Sequence, residues 1–273
     1  MIRPKEHSSL GFTLIELSIV LVIIGLITGG VLVGQDLIRA AGIRATIKQV
    51  ESFNSAVNTF RGKYGYLPGD MPPNIASSYG FFAFAGANAG TAGYGDGNGF
   101  VDTGIVACEQ ESLVFWRHLS DAKLIEGAYG QTTGSNGIDP NSGQVLNTVS
   151  GGNISQFLPV PKISNSAFFV AQNFFSTGTI VILPSNVFAL YPVAQLRSAG
   201  GCQTTVGGIK SIDAHNIDAK IDDGLPYNGN VIGTGDWHTC TLGANTNDPN
   251  STYNLDSNNG AETPDCTMYF KFQ

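Results

Sequence analysis

The run Gly11-Phe12-Thr13-Leu14-Ile15-Glu16-Leu17 decides the fold, because it opens 22 residues of almost pure hydrocarbon, Phe12–Val33. Glu16 is the one ionisable side chain in that stretch. As a helix rising about 1.5 Å per residue, the stretch spans roughly 33 Å, enough to cross a bilayer core of about 30 Å. Leu, Ile and Val dominate it, and Gly25, Gly29 and Gly30 are its soft points. The preceding segment, Met1–Gly11, sets Arg3 and Lys5 against Glu6, the positive excess expected on the cytoplasmic side of a membrane. A lone carboxylate inside an apolar span is costly and marks a function.

Three readings compete for this segment. A secretory signal peptide requires a shorter apolar run with small residues at a cleavage site near its end, and neither is present. A plain membrane anchor explains the length but leaves Glu16, about one turn into the run, without a role. A leader cut before the apolar run, rather than after it, accounts for both.

Working outward, the helical pattern continues past Val33. Apolar residues recur at Ile43, Ile47, Val50, Phe53, Val57, Phe60 and Tyr64, spacings of three and four that mark one buried helical stripe. Arg44, Lys48, Glu51 and Asn54 occupy the other faces. Gly34 and Gly42 are the weak points. Pro68 ends the pattern and biases Leu67 towards extended structure. The expectation is one helix from Thr13 to Tyr64, apolar all round in its first half and amphipathic in its second.

These residues carry a resemblance. Gly11-Phe12-Thr13-Leu14-Ile15-Glu16 resembles the cleavage and methylation signature of type IV prepilins and of the pseudopilins of type II secretion. The likeness is strong over the first 60 or so residues and only general beyond them. It implies cleavage after Gly11 by a prepilin peptidase and N-methylation of the new amine of Phe12. It also implies other pilin subunits, an inner-membrane assembly platform and membrane lipid as partners. The implied fold is α+β and pilin-like: a long N-terminal helical stem packed on a loop-rich head with an antiparallel sheet. The corresponding divisions are a leader (1–11), a filament-core half (12–33) and an amphipathic half (34–66) of the stem, and a globular head (67–273). In a filament core, a buried Glu16 needs a cation within hydrogen-bond reach, and the amine of a neighbouring Phe12 supplies one. Such a pair fixes axial register, as a buried polar residue does in a coiled coil. The competing reading has Glu16 snorkelling to the membrane interface.

Composition agrees with an exported head. Loss of the leader removes Arg3, Lys5 and Glu6, so the 14 Lys+Arg and 21 Asp+Glu fall to 12 and 20, a net charge of about −8. That balance argues against a strongly nucleic-acid-binding surface. Charged residues make up only 13% of the chain, and Gly, Ser, Thr and Asn are abundant, which reads as a loop-rich, strand-bearing extracellular domain. The cysteines, Cys108, Cys202, Cys240 and Cys266, form an even set in an exported chain and allow three pairings. The resemblance favours Cys240–Cys266, closing a C-terminal loop of the kind pilins often staple, together with Cys108–Cys202. No pair has the short spacing of a structural zinc site.

Within the head, Leu67–Pro73 is a turn-rich exit from the stem, and Ile75–Ala92, with Tyr79, Phe81, Phe82 and Phe84, reads as a packed loop or short helix. A glycine-rich loop over Gly93–Gly104 follows. A helix is predicted over Glu109–Lys123, with Leu113, Trp116, Leu119 and Leu124 on one face. Gln131–Asn153 and Asn245–Asn259 read as exposed polar loops. Strands are predicted at Phe157–Val160, Ala167–Ala171, Thr179–Leu183, Phe188–Val193 and Met268–Phe272. Val187–Leu196 also admits a short helix, and His215–Asp223 reads as a short helix or turn.

Asp96-Gly97-Asn98-Gly99-Phe100-Val101-Asp102 is the best metal candidate. Alternating oxygen donors on a glycine-bearing turn suit a hard cation such as calcium, with Asp96, Asn98, Asp102 and the carbonyl of Phe100 as donors. The closing acid of an EF-hand would fall at Ala107, so Glu109 or Glu111 would have to close the set by another path. The competing reading is a tight Gly/Asn turn without metal. Asp213, Asp218, Asp222 and Asp223 are a second acidic cluster, for which a solvated acidic surface is favoured over a metal site. No catalytic constellation stands out: His118, His215 and His238 lack a motif tying them to a serine or cysteine, and Gly95–Gly99 lacks the lysine and hydroxyl of a phosphate loop.

The sequence therefore points to a structural subunit of a type IV pilus-like filament, minor or specialised because its head is bulky. Its place is the inner membrane before assembly, in a single pass with the head periplasmic, and a periplasmic or extracellular filament afterwards. The alternatives are a type II secretion pseudopilin and, in a different class, a membrane-anchored periplasmic enzyme or binding protein. An adhesive role would fall to the exposed loops.

Overall fold

The computed structural model describes residues 13–82, 95–102, 108, 110–130, 137–139, 143–165, 167–174, 185–198, 201–204, 208–235, 239–242, 250–256 and 261–272. The chain divides into two compact units, Met1–Gly42 and Ile43–Gln273.

Helix α1 is a single element over Leu14–Tyr64, with Gly34 and Gly42 inside it. In the first unit its apolar residues face outward from Leu14 to Ile38, with Leu14 89% and Ile38 75% exposed. In the second unit it buries Ile43, Thr46, Val50, Phe53, Ala56, Val57 and Phe60, while Ile47 and Tyr64 pack at the core's edge. The predicted stripe is thus the docked face.

Among the described residues, three further helices follow: α2 (Pro73–Ser78), α3 (Glu111–Asp121) and α4 (Ser211–Ile221). The strands are β1 (Val149–Ser150), β2 (Phe168–Phe174), β3 (Ser185–Tyr191), β4 (Val193–Leu196), β5 (Cys202–Thr204), β6 (Ile209–Lys210), β7 (Val231–Thr234), β8 (Thr241–Leu242), β9 (Thr252–Tyr253) and β10 (Pro264–Lys271). The main sheet runs β2-β3-β10-β6, with β7 also paired to β10. A smaller sheet is ordered β1-β4-β5, and β8 pairs with β9. Every pairing is antiparallel. In the main sheet Phe188 lies opposite both Ala171 and Phe270.

The core forms where α1, α3 and the main sheet meet. The Phe53 ring sits edge-on to Trp116 at 4.9 Å, Phe169 at 5.2 Å and Phe188 at 5.8 Å. Fully burying such a side chain is worth about 1.5–3 kcal/mol. Helix α3 buries more than the predicted face: Phe115 and His118 are as fully enclosed as Trp116 and Leu119. It lies inside the head rather than on it.

Several expectations are corrected. Phe157–Val160 is not a strand. A 3-10 turn over Gly151–Gln156 leads into it, the Phe157 N–H closes back on the Ile154 carbonyl, and Pro159 and Pro161 withhold ladder donors. Pro192 divides the expected Phe188–Val193 strand between β3 and β4. Val187–Leu196 is extended, not helical. The described parts of Gln131–Asn153 are not wholly exposed, since Ile138 and Val145 bridge each other and, with Val149, are buried. Asn245–Asn259 likewise contains β9, with Tyr253 buried. Helix α4 starts four residues earlier than expected, at Ser211. The expected strand at Thr179–Leu183, together with Phe84 and His238, lies outside the described residues.

Candidate functional site

At the start of α1 the side chains of Thr13 and Glu16 hold each other. The Thr13 hydroxyl accepts the Glu16 N–H at 3.3 Å and donates to Glu16 Oε2 at 2.8 Å. The Thr13 backbone N–H donates to the same oxygen at 2.8 Å. This is a capping box, in which two helix-terminal N–H groups with no partner inside the helix find acceptors. The Thr13-x-x-Glu16 spacing carries that signal, which the sequence reading passed over in favour of Glu16 as a lone acid. A carboxylate here is also favoured by the positive end of the helix dipole. Gly11 and Phe12 lie outside the described residues. Past this cap, α1 is long and apolar enough to cross a membrane, with a mean hydropathy of 2.6 over its most apolar window.

In the head, the 95–102 loop is wrapped around two buried carboxylates. Asp70 leaves the stem exit directly after Gly69, which takes a positive φ of 84°. A Cβ on Gly69 would collide with the Glu111 carbonyl oxygen. Asp70 Oδ1 accepts the N–H groups of Gly97 at 2.8 Å and Asn98 at 3.1 Å, and its Oδ2 accepts that of Gly99 at 2.9 Å. Glu111, the first residue of α3, accepts the Gly95 N–H on Oε1 at 2.6 Å and the Asp102 N–H on Oε2 at 2.5 Å. Asp70 is 1% exposed and Glu111 0%.

The predicted donors come together only in part. Asn98 Nδ2 bridges the carboxylates of Asp96 at 3.1 Å and Asp102 at 2.8 Å. Phe100 joins through its N–H, which donates to Asn98 Oδ1 at 2.7 Å. The oxygens that converge belong to Asp70, Asp96 and Glu111, all within 4.8 Å of one another. Glu111 thus approaches from α3, while Asp70 escaped the sequence reading because it lies 26 residues before Asp96. Its available signal was an acid directly following the Pro68-Gly69 turn. Burial pushes the Asp70 carboxyl up to about 7, against the pull of the Gly99 and Gly97 amides. Burial, then repulsion from Asp70, holds Glu111 well above the usual carboxylate range.

Elsewhere the candidates resolve into scaffolding. Cys108 pairs with Cys202 and Cys240 with Cys266. Asp218 is buried rather than solvated: the Tyr253 hydroxyl donates to Oδ2 at 2.8 Å and the Gly224 N–H to Oδ1 at 3.3 Å. Asp222 accepts the N–H groups of Asn230 and Val231, and Asp223 those of Leu225 and the Asn228 side chain. A groove of about 570 Å³ between Gln49, Lys123, Glu126, Tyr129 and Lys162 is pinned by Gln49, which accepts the Lys162 N–H at 3.0 Å and donates to the Val160 carbonyl at 3.1 Å.

Residues 7–32 match the family model for the prokaryotic N-terminal methylation motif, the signature of type IV pilins and pseudopilins. No curated protein and no solved structure matches the chain. The motif together with the long apolar helix supports a pilin- or pseudopilin-like reading, with α1 suited by length and composition to anchoring in a membrane.

Proposed function

We propose that this chain is a minor or specialised subunit of a type IV pilus-like filament. The observation that carries the reading is the geometry at the mouth of α1. Glu16, five positions past Gly11, caps a helix whose next 18 residues, Leu17–Gly34, present nothing but hydrocarbon and small polar groups. Lipid covers that surface while the subunit is stored, and neighbouring stems cover it after assembly. Burial of apolar surface is similar in both, so a filament-core charge pair has to select the register. The amine left on Phe12 after cleavage at Gly11 is the natural partner of Glu16 in the next subunit. Prepilin peptidase and an assembly platform are then the processing and assembly partners. A head of residues 67–273 suits a tip or specialised position better than the repeated unit of a thin fibre.

Mass spectrometry of the mature N-terminus tests the processing: a chain starting at N-methylated Phe12 is expected, and an intact Met1 overturns it. Glu16→Gln tests the register, because the amide oxygen keeps the Thr13 bonds and only the charge is lost. Incorporation into filaments is expected to fall at least tenfold with the head still folded, and unchanged incorporation refutes the pairing. Deleting the gene separates the pilus reading from secretion: loss of surface filaments supports the first, and intact pili with a secretion defect overturn it in favour of a pseudopilin.

A further inference from the structure

We propose that the groove beside the Ile43–Tyr64 part of α1 receives the Ile221-Asp222-Asp223 corner of a second copy of this chain, joining the heads of neighbouring subunits. The inference rests on the filament reading in taking two copies to lie side by side. The groove, about 570 Å³ in volume, is lined by apolar Phe53, Leu124, Ile125 and Val160 and by Lys123, Lys162 and Glu126. Leu124, Ile125 and Val160 are only partly buried, and both lysines are exposed. Among the described residues neither lysine has an ion-pair partner, on a chain with 21 Asp+Glu against 14 Lys+Arg. Lys123 also holds an unfavourable place. It takes a positive φ of 58° directly after α3, where its N–H reaches the Ser120 carbonyl and the Leu124 N–H reaches the Leu119 carbonyl, both at 3.0 Å. This closing turn is the position that glycine usually fills, because a Cβ is penalised there. A lysine kept there at that cost points to a use for its charge.

The complement lies on the same molecule. Ile221 ends α4 and is 38% exposed. Of the exposed large apolar residues in the described head, Tyr79, Leu146, Ile221, Leu242 and Leu255, only Ile221 is followed by two acids. Asp222 and Asp223 accept N–H groups of their own turn, and carboxylates keep further acceptor sites for a cation. Lys220 precedes them and is exposed. Two lysines and a glutamate in the groove therefore face two aspartates and a lysine on the corner. An apolar side chain entering a pocket elsewhere on the same molecule makes a heterologous contact, which leaves a free groove at one end and a free corner at the other. Such a contact propagates in one direction, as a filament requires, and does not close into a dimer. Its charges choose the partner surface more than they add affinity.

The test is disulfide cross-linking between two differently tagged full-length chains in membranes, one carrying Ser155→Cys in the groove and the other Ile221→Cys. A mixed dimer is expected, well above the background set by Ser77→Cys with Ile221→Cys, a pair outside the groove. Adding Lys123→Glu to the groove chain is expected to lower the yield roughly tenfold or more, and so is adding Asp223→Lys to the corner chain. Combining the two is expected to restore it, because the charges are exchanged. A loss that the combination does not restore overturns the contact, as does a yield at background or one that neither charge change alters. Ser155→Cys trapped only on a different protein overturns the assignment to a second copy. Cross-linking is read on subunits in the membrane, so its failure with normal filaments and a methylated Phe12 sinks this contact alone, while an unprocessed Met1 sinks the filament reading.

Discussion

His118 Nδ1 accepts the backbone N–H of Gly69 at 3.1 Å, tying the exit of the stem to the last turn of α3. The other ring nitrogen lies 2.8 Å from the Phe82 carbonyl, so the neutral ring donates from Nε2 and accepts at Nδ1. Phe60 stacks on the ring at 6.0 Å. Burial pulls the imidazole down to about 4. Replacing His118 with Leu strands a buried donor and a buried acceptor, a loss of about 2–4 kcal/mol. A melting temperature lower by roughly 5–15 °C at pH 7 is expected from thermal unfolding of the full chain. A variant melting within 2 °C of the parent would show that neither bond matters.

The same histidine sets the acid side of the stability profile. Its folded value lies below its unfolded value, near 6.5, so the unfolded chain binds the extra proton. Its contribution is complete above pH 6.5 and is lost as pH falls through about 4. Melting temperature against pH over this window is expected to fall less steeply in His118→Gln than in the parent.

Asp218 works in the opposite direction. Burial raises it to about 7 in the folded chain, with Asp223 and Asp222 adding repulsion, against the pull of Tyr253 and Gly224. His215 and Tyr253 also face this corner, their rings 5.8 Å apart. A raised acid contributes stability that is complete below its unfolded value, near 3.8, and lost as pH rises through about 7. Asp218→Asn cannot ionise, and its oxygen can keep the Gly224 bond while its amide donates to the Tyr253 oxygen. The variant is expected to gain on the parent as pH rises from 5 to 8. A parallel pair of melting curves would sink this assignment.

The two disulfides differ in what they close. Cys108–Cys202 spans 94 residues and Cys240–Cys266 spans 26. Chain-entropy reasoning gives upper values of about 4.7 and 3.5 kcal/mol respectively. Guanidinium unfolding of the paired Cys→Ser variants is expected to show the larger loss for Cys108/Cys202. The reverse order would mean that local packing around Cys240 and Cys266, both fully buried, outweighs loop length.

What was legible in the sequence follows from which signals are local. The stem was readable to within a residue because seven apolar positions keep one period without interruption and Pro68 stops it. Strand β10 was readable from Tyr269 and Phe270, but its extension back to Pro264 depends on pairing with β6 and β7, which no local pattern announces. The short strands β8 (Thr241–Leu242) and β9 (Thr252–Tyr253) are two residues each, too short for a local pattern, and are held by tertiary contacts such as Tyr253 on Asp218. The carboxylate cage was half visible. Asp96 and Asp102 share one loop, but Asp70 and Glu111 reach it through space, and a sequence motif ranks donors by spacing along the chain. The capping box was visible and missed, because the rarity of an acid in an apolar run drew the reading away from its neighbour Thr13.

The two halves of α1 should separate under mutation. Phe53 is 7% exposed and contacts Trp116, Phe169 and Phe188 in the head, so Phe53→Ala leaves a cavity among three aromatic rings. A loss of about 3–5 kcal/mol in head stability is expected. Leu21, in the other unit, is 63% exposed and apolar. Leu21→Ala removes nothing that the head packs against, and the head's unfolding transition is expected to stay within about 0.5 kcal/mol of the parent. Its effect belongs to assembly, where a shortened side chain leaves a gap among neighbouring stems, and filament yield is expected to fall. Measuring both variants by both readouts crosses the two roles. A Leu21→Ala chain with normal filaments and a weakened head would assign the apolar half to folding rather than to polymerisation, against the role argued for it.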